Sequence, residues 1–341
     1  MIFRRGEAGD AVGYARTKVL SWRQAYAPFL PAEFLANLSE QKVAEDWPEL
    51  ITRKQAWVAV DDSAGVVGYS MLGIGRFEGL EDIPEVQALY VQPEFQGRGI
   101  GRSLMARSLR DAVRGGHAKA MVCAFALNER ARGVYEAWGA PTTAHGIYRL
   151  EGVDYDDVAH VFSDPAGAVA RLMPIRVRPY AEGDDLEHLT AMLHDSYGEL
   201  AEKGMHFLAT HQSAEVTRER LTSDHGFIVE AEGRTVGTVS MYLQDELPYG
   251  DWAPEGAVAS FGQFAVDREY QGFGIGTRVI GFLEDFARAK GMDWLALDTA
   301  VPAEHLHRYY EGLGFAVVGS ADYRPVVNYP SVVMAKRLGG V

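Results

Sequence analysis

Two glycine-rich segments of six residues constrain what this chain can fold into. They read Gln-Gly-Arg-Gly-Ile-Gly at 96–101 and Gln-Gly-Phe-Gly-Ile-Gly at 271–276. Each follows an apolar run typical of a β-strand and precedes an amphipathic run typical of an α-helix. Backbone amides at the start of a helix bind phosphate groups, and glycine lets the backbone approach them without a Cβ. The sequence therefore predicts two phosphate-binding loops.

The two loops belong to a repeat of a whole domain. Six residues of the first half recur 175 positions later, where Val91, Gln96, Gly99, Gly101, Tyr135 and Gly139 become Val266, Gln271, Gly274, Gly276, Tyr310 and Gly314. Solenoid units are only about 20–50 residues long, so each half should have its own core. A break at 163–167 places the boundary near residue 170. The predicted domains are 1–170 and 171–341.

The apolar pattern predicts an α+β fold in each half, with a meander of strands before a single crossover helix. Helices are predicted over 11–27, 31–50, 101–114, 131–138 and 276–289. Strands are predicted at 2–5, 56–60, 66–74, 86–91, 120–127 and 158–162, and at 175–178, 226–231, 235–242, 261–266, 294–297 and 331–335. Asp10 and Asp184 end the polar turn before the first helix of each half, so both are predicted helix N-caps.

Composition favours a soluble, cytoplasmic enzyme. Apolar residues make up 47% of the chain, yet no run reaches the roughly 18 apolar residues of a membrane span. The single cysteine, Cys123, excludes an internal disulfide. The net charge is −14, of which the second half carries −11. Such a charge disfavours nucleic-acid partners and attracts cationic small molecules. We expect no metal site, because His305 and His307 lack further ligands at a suitable spacing.

The repeated pattern resembles the GCN5-related N-acetyltransferase (GNAT) family. The resemblance rests on a strand ending in Leu-Tyr-Val at 89–91, the glycine loop, a helix, Asn128 and the Tyr-x-x-x-Gly pattern of Tyr135 and Gly139. It implies in each half a mixed, largely antiparallel sheet that is splayed at its centre and flanked by helices. It also implies acetyl-CoA as co-substrate, with the coenzyme pyrophosphate on the loop. Neither loop has the spacing of a dinucleotide fingerprint or the Lys-Ser/Thr pair of a P-loop.

The resemblance also implies which residues bind the coenzyme. They are the end of the strand, the loop and the start of the helix in both halves, with one asparagine in the first half. The predicted set is Leu89, Tyr90, Val91, Gln96, Gly97, Arg98, Gly99, Ile100, Gly101, Arg102 and Asn128, together with Val266, Gln271, Gly272, Phe273, Gly274, Ile275 and Gly276.

Three residues are predicted to be catalytic on the same grounds. Tyr135 has the family position of the group that protonates the departing thiolate, and Tyr310 is its counterpart. Glu85 lies where some members have the carboxylate that accepts the proton of the amine. A solvated carboxylate at a strand start is an equal alternative for Glu85. In the second half Ser260 replaces this glutamate and Ala303 replaces the asparagine, which favours the first half as the active site.

These residues predict an enzyme that transfers an acetyl group to a primary amine of a small molecule by direct attack. The protein is expected to be a monomer or homodimer. The alternatives are an enzyme similar to mycothiol synthase with the second half active, acetylation of a protein amine, and a non-catalytic acyl-CoA-binding protein. His307 is a weak further candidate beside Tyr310. The connector Gln244–Val258 is predicted to form a lid or a wall of the acceptor pocket.

Overall fold

The computed structural model describes residues 1–244 and 252–339. They form two compact units, Met1–Met173 and Pro174–Val341. The centre of the connector Gln244–Val258, including Pro248 and Tyr249, lies outside the described residues. Within the described ranges, no helix is long and apolar enough to cross a membrane.

The first unit contains seven strands and seven helices in the described part of the chain. The strands are β1 (Ile2–Arg5), β2 (Gln55–Asp61), β3 (Gly65–Gly73), β4 (Glu85–Val91), β5 (Ala120–Phe125), β6 (Thr142–Leu150) and β7 (Val153–Phe162). The helices are α1 (Ala11–Tyr26), α2 (Ala32–Ala36), α3 (Glu40–Glu45), α4 (Trp47–Arg53), α5 (Ile100–Arg114), α6 (Glu129–Ala137) and α7 (Pro165–Leu172).

The second unit repeats this order. Its described strands are β8 (Ile175–Pro179), β9 (His225–Ala231), β10 (Arg234–Gln244), β11 (Val258–Val266), β12 (Trp294–Ala300), β13 (Ala316–Ala321) and β14 (Ser331–Arg337). Its described helices are α8 (Leu186–Glu202), α9 (Ala214–Thr222), α10 (Ile275–Ala289) and α11 (Glu304–Gly312).

Each unit is built on one mixed sheet that splays at its centre, as predicted. The strand order is β1-β2-β3-β4-β5-β7-β6 in the first unit and β8-β9-β10-β11-β12-β14-β13 in the second. The central pairs β4–β5 and β11–β12 are parallel, and the other neighbours are antiparallel. Strand β4 pairs with β5 only at Glu85 and Val86, so the rest of β4 diverges from β5. Strand β11 separates from β12 after Ser260.

Helices cover both faces of the first sheet. Successive residues of a strand point to opposite faces, so neighbouring side chains of β2 contact different helices. Trp57 of β2 packs with Leu104 of α5 on one face. The adjacent Val58 packs with Tyr14 of α1 and with Trp47 on the other face. Strand β2 therefore buries apolar residues on both faces of the sheet.

Several sequence predictions of local structure are wrong. The helix predicted over 31–50 forms three short helices, because Ser39 caps α3 by accepting from the Lys42 amide, and Pro48 begins a new helix. Strands β6 and β13 were not predicted. Helix α7 forms over the segment read as a break, where Asp164 accepts from the Gly167 amide.

The two predicted N-caps are also wrong. The carboxylate of Asp10 does not cap α1 but accepts two hydrogen bonds of 2.8 Å from Arg4 of β1. Likewise Asp184 accepts from Arg178 of β8, and its neighbour Asp185 caps α8. A bidentate arginine pair satisfies a carboxylate better than a single backbone amide does. The repeated pair therefore ties the first strand of each half to the turn that follows it.

Candidate active site

The glycines of both loops hold a backbone conformation that other residues rarely adopt. Gly97 and Gly99 have φ of 76° and 82°, and Gly272 and Gly274 have φ of 81° and 66°. Gly99 and Gly274 are the N-caps of α5 and α10. A left-handed residue at this point turns the chain sharply from the strand end into the helix. These glycines are thus explained by backbone conformation alone.

The helix starts leave backbone amides free for an anion. In α5 the first intrahelical bond runs from the Ser103 amide to the Gly99 carbonyl, so the amides of Ile100, Gly101 and Arg102 have no carbonyl one turn earlier. The side chain of Ile100 is buried, so this residue can offer only its backbone. A Cβ at Gly101 would meet nothing closer than 3.8 Å, so the fold leaves space there. Such a helix start fits a pyrophosphate.

The two loops differ in charge. Arg98 and Arg102 are exposed beside the first loop. The corresponding residues of the second loop are Phe273, which is fully buried, and the uncharged Thr277. At these two positions the first loop has two cations and the second has none. The second loop has Arg278 instead, which donates to the Gly274 and Phe273 carbonyls.

The glutamine that opens each loop fixes the loop to the preceding strand. Gln96 donates to the Val91 carbonyl at 3.0 Å, and Gln271 donates to the Val266 carbonyl at 3.1 Å. In each half a serine hydroxyl of the first helix donates to the same carbonyl. We infer that these glutamines act on a ligand by positioning the loop.

A further chain of hydrogen bonds crosses the mouth of the first splay. Gln96 donates to Gln24 of α1 at 2.9 Å and accepts from Arg130 of α6 at 3.0 Å. Since α6 follows β5, this chain joins the two sides of the splay. Arg130 is exposed and was not identified from the sequence. It is a third cation on the coenzyme side of the first half.

The Tyr-x-x-x-Gly pattern is the end of a helix. The Gly139 amide bonds to the Glu136 carbonyl and the Ala140 amide to the Tyr135 carbonyl, which is a Schellman motif with φ of 93° at Gly139. The same bonds from Gly314 and from Phe315 end α11. The motif fixes the tyrosine two residues before the last residue of the helix, with its ring buried in the protein.

Tyr135 is a buried phenol near the end of α6. Its side chain is buried, with its ring edge against His160 at a centroid distance of 5.5 Å. Burial, aided by the neighbouring Tyr90 and Cys123, raises the pKa of the Tyr135 phenol far above its usual value. The phenol is therefore protonated at neutral pH. The same cause raises the pKa of Tyr310 in the second half.

A cavity of about 800 Å³ enters the splay of the first unit. Residues of β4 and β5 line its inner end, namely Glu85, Gln87, Ala88, Tyr90, Cys123, Ala124 and Phe125. Residues of α1 and of the β6–β7 hairpin close its sides. Burial raises the pKa of the Cys123 thiol, so this cysteine is not a thiolate nucleophile.

Glu85 lines this cavity but is held in an ion pair. Its buried carboxylate accepts from the Arg76 backbone amide at 3.0 Å and from the Arg76 guanidinium at 3.2 and 2.6 Å. Arg76 lies on the segment between β3 and β4, and nothing in the sequence pattern marked it as a partner. Three donors of Arg76 thus occupy the two oxygens of this carboxylate.

We expect Glu85→Gln to reduce stability more than activity. The change removes the charge partner of Arg76 and at least one strong hydrogen bond, so the free energy of unfolding should fall by about 1–3 kcal/mol. Urea unfolding and kcat of the same preparation are the measurements. A hundredfold loss of kcat at unchanged stability would instead make Glu85 the proton acceptor.

Asp157 is a second carboxyl of this cavity. It lies on β7, opposite Phe125 of β5, and lines the same cavity. Burial, with a contribution from the charge of Glu85, raises the pKa of its carboxyl to about 6. A base whose pKa is close to the working pH is well suited to proton transfer. Asp157 was not predicted as a site residue, because the strand predicted from the sequence began at Val158, one residue later.

The second unit has a cleft on its coenzyme side. A cavity of about 430 Å³ is lined by the second loop, the end of β11 and Tyr310. His305 also lines it, whereas the imidazole of His307 contacts the Ala300 carbonyl at 3.0 Å. Ser260 is buried on β11. The described part of this unit thus offers a cleft suited to the coenzyme.

The asparagine predicted to bind the coenzyme is a helix cap. Asn128 accepts from the Ala131 amide at 3.2 Å through its side-chain oxygen and so caps α6. Ala303, at the corresponding position, cannot cap α11 in this way. Among the described residues, no group of three or more metal-ligating side chains is close enough to hold an ion.

Two curated relatives cover about half of this chain each. An uncharacterized N-acetyltransferase of Bacillus subtilis, YuaI, is 26% identical over 155 residues, which are 46% of this chain and 88% of the relative. The S-(2-succino)cysteine N-acetyltransferase of the same organism is 24% identical over 156 residues, which are 45% of this chain and 91% of the relative.

Solved structures are similar over a comparable share of the chain. A ribosomal-protein-alanine N-acetyltransferase from Brucella melitensis is 20% identical, with a TM-score of 0.39 over 48% of this chain and 99% of that protein. A PaiA N-acetyltransferase from Thermoplasma acidophilum, in complex with coenzyme A, is 18% identical. Its TM-score is 0.37 over 46% of this chain and 96% of that protein.

The family model of the acetyltransferase (GNAT) family matches the chain twice, at residues 10–140 and 186–315. Each match falls within one unit and includes its glycine loop, and together the matches cover most of the chain. The chain belongs to the acetyltransferase (GNAT) family and is an acetyl-CoA-dependent N-acetyltransferase.

Proposed function

We propose that the first half transfers the acetyl group of acetyl-CoA to the primary amine of a small molecule. The observation that carries this proposal is the cavity that enters the splay between β4 and β5 and contains Asp157. The coenzyme loop, Tyr135 and this carboxyl all belong to the same unit. Their roles below are part of the proposal.

Acetyl-CoA supplies an activated thioester when it is bound. The amides at the start of α5, with Arg98 and Arg102 nearby, hold the pyrophosphate. Asp157 accepts the proton of the ammonium group, which makes the nitrogen a nucleophile. As the carbon–nitrogen bond forms and the carbon–sulfur bond breaks, Tyr135 donates its proton to the departing sulfur. The second proton that the nitrogen loses then returns to the Tyr135 oxygen, and Asp157 releases its proton to solvent. The products are the N-acetylated amine and coenzyme A.

The cavity supports a small acceptor rather than a protein chain. Its volume of about 800 Å³ lies within the usual range of about 300–1,000 Å³ for small-molecule pockets. Aromatic rings form much of its wall, including Trp22, Tyr26 and Phe34. One curated relative is named for acetylating a modified cysteine, which is also a small amine.

A second candidate function is coenzyme binding by the second half. The 430 Å³ cleft beside the second loop favours it. The base is less well placed there, because β11 has Ser260 in place of Glu85, and β14 has Ser331 at the position that corresponds to Asp157. We therefore propose that the second half binds acetyl-CoA more weakly or without turnover.

The test uses an alanine at the third glycine of each loop. Gly101→Ala adds a Cβ that the fold accommodates, so it should weaken acetyl-CoA binding only through contact with the coenzyme. We expect about tenfold or greater loss of affinity, as for overpacking of a tight contact. Isothermal titration and the release of coenzyme A in the presence of amines measure the two effects.

The matched variant of the second loop serves as control. A Cβ at Gly276 would lie 2.7 Å from the Tyr309 hydroxyl, so Gly276→Ala is combined with Tyr309→Phe to remove that clash. Turnover should fall with Gly101→Ala and persist in the double variant. The opposite pattern would move the active site to the second half. An absence of turnover with every amine would favour a non-catalytic acyl-CoA-binding protein.

A further inference from the structure

Two lysines of the first cavity have no partner within the described residues. Lys18 lies on α1 and Lys54 directly follows α4, and both are half-buried in the cavity wall. Neither ammonium group has a hydrogen bond or a carboxylate within ion-pair distance in the described chain. The ammonium nitrogen of Lys18 lies 5.7 Å from the centroid of the Trp22 ring.

Burying an unpaired ammonium group is unfavourable. Burial lowers the pKa of Lys18, although the charge of Asp46 opposes the shift. Burial and the charge of Arg76 lower the pKa of Lys54, although the charge of Glu85 opposes the shift. A charged group is normally withdrawn from water only when a partner compensates for the lost hydration. The folded chain provides no such partner for either lysine, which points to a ligand that does.

The acidic residues of the cavity do not fill this role. Glu85 is paired with Arg76, and burial raises the pKa of the Asp157 carboxyl although the charge of Arg76 opposes the shift. The remaining carboxylates are exposed at the rim, namely Asp46, Glu49, Glu78 and Glu151. The interior therefore combines two unpaired cations with one carboxyl that can accept a proton.

We propose that Lys18 and Lys54 bind a carboxylate of the acceptor, so that the substrate is an amine that also carries a carboxylate, as amino acids do. This inference rests on the proposed function, since it assigns the acceptor of that same site. The two ends of such a molecule match the cavity: its ammonium group is the proton source for Asp157, and its carboxylate compensates for the buried lysines. An acceptor of this kind differs from the cationic molecules that the net charge of the chain would attract.

The first experiment compares amines that differ only in the carboxylate. Initial rates are measured for the protein amino acids, for their methyl esters, and for putrescine and O-phosphoethanolamine. We expect the best free amino acid to exceed its methyl ester in kcat/KM by about tenfold to a hundredfold, the range for a hydrogen bond to a charged group. Activity with O-phosphoethanolamine equal to that with the best amino acid, or a preference for the ester or for putrescine, would overturn the proposal of a carboxylate.

The lysine variants identify the binding site. Lys18→Met and Lys54→Met keep the length of the side chain and remove its charge, and Lys42→Met on the exposed face of α3 is the matched control. Each cavity variant should raise KM for the amino acid about tenfold or more, with kcat and the KM of its ester changed less than about twofold. An arginine at the same position should restore part of the loss. Equal effects on acid and ester would mean that the lysines bind no carboxylate.

A binding measurement separates this inference from the proposed reaction. The N-acetylated amino acid and its methyl ester are titrated into the protein without coenzyme, using wild type and Lys18→Met. Selective binding of the free acid, lost in the variant, supports the carboxylate site even where no turnover is seen. Turnover of amines without this selectivity would support the reaction and overturn the carboxylate site.

Discussion

Asp157→Asn should lower kcat/KM for the acceptor amine by about 10²–10⁴, the usual contribution of a general base. The amine reaches the enzyme as an ammonium ion, and an asparagine amide cannot accept its proton. Asp157 lines the cavity with a carboxyl whose pKa is raised to about 6 by burial. The substitution keeps the size and shape of the side chain, so the loss reports on proton transfer.

Asp157→Asn should also change the pH dependence of kcat/KM. Below about pH 6 the Asp157 carboxyl is protonated and cannot act as a base, so kcat/KM of the wild type should rise with pH and level off above this value. This rise of kcat/KM near pH 6, the acid limb of the profile, should be absent in Asp157→Asn. Rates measured between about pH 5 and pH 8 with one acceptor decide the matter, provided that the acceptor amine itself titrates at higher pH.

Stability provides the control for Asp157→Asn. Since the pKa of this carboxyl is raised on folding, its ionised form is disfavoured in the folded state above about pH 6. The neutral asparagine should therefore leave the free energy of unfolding at pH 7 unchanged or increased. Glu85→Gln, the same type of change in the same cavity, should do the reverse by lowering stability and largely sparing the rate. If only Glu85→Gln removed the limb near pH 6, the two roles would be exchanged.

The conformation of the glycine loops was predictable because its signals are local. The glycines at 97 and 99 are required by a left-handed backbone, and Gly139 by the end of a helix. Each of these requirements involves only a few consecutive residues, so the sequence pattern contains it completely. The splayed sheet follows from the same repeated order of strand, loop and helix, and it was predicted correctly.

The lining of the first cavity was not predictable because its residues come from distant elements. Lys18 of α1, Lys54 after α4 and Asp157 of β7 meet only when the sheet and its helices pack together. The segment 31–50 has an apolar pattern compatible with one helix, and only its caps divide it. Similarly, the family resemblance implies that Glu85 is a base. Its pairing with Arg76 depends on how the loop before β4 folds back, which the sequence pattern does not contain.

Tyr135→Phe should lower kcat by about 10²–10³, while the affinity for acetyl-CoA stays within about twofold. The hydroxyl is the only group removed, and the ring keeps its contacts with Trp138 and His160. The phenol is protonated throughout the accessible pH range because burial raises its pKa. The loss should therefore be the same at every pH, unlike the loss caused by Asp157→Asn.

The second half supplies the matched control for Tyr135→Phe. Tyr310 is buried to the same degree, ends an equivalent helix and also has a raised pKa. Tyr310→Phe should leave turnover within about twofold of the wild type if acetyl transfer takes place in the first half. Equal losses from the two single variants would mean that both halves contribute to turnover. A loss from Tyr310→Phe alone would place proton donation to the sulfur in the second half, because the two substitutions remove the same group from the same type of site.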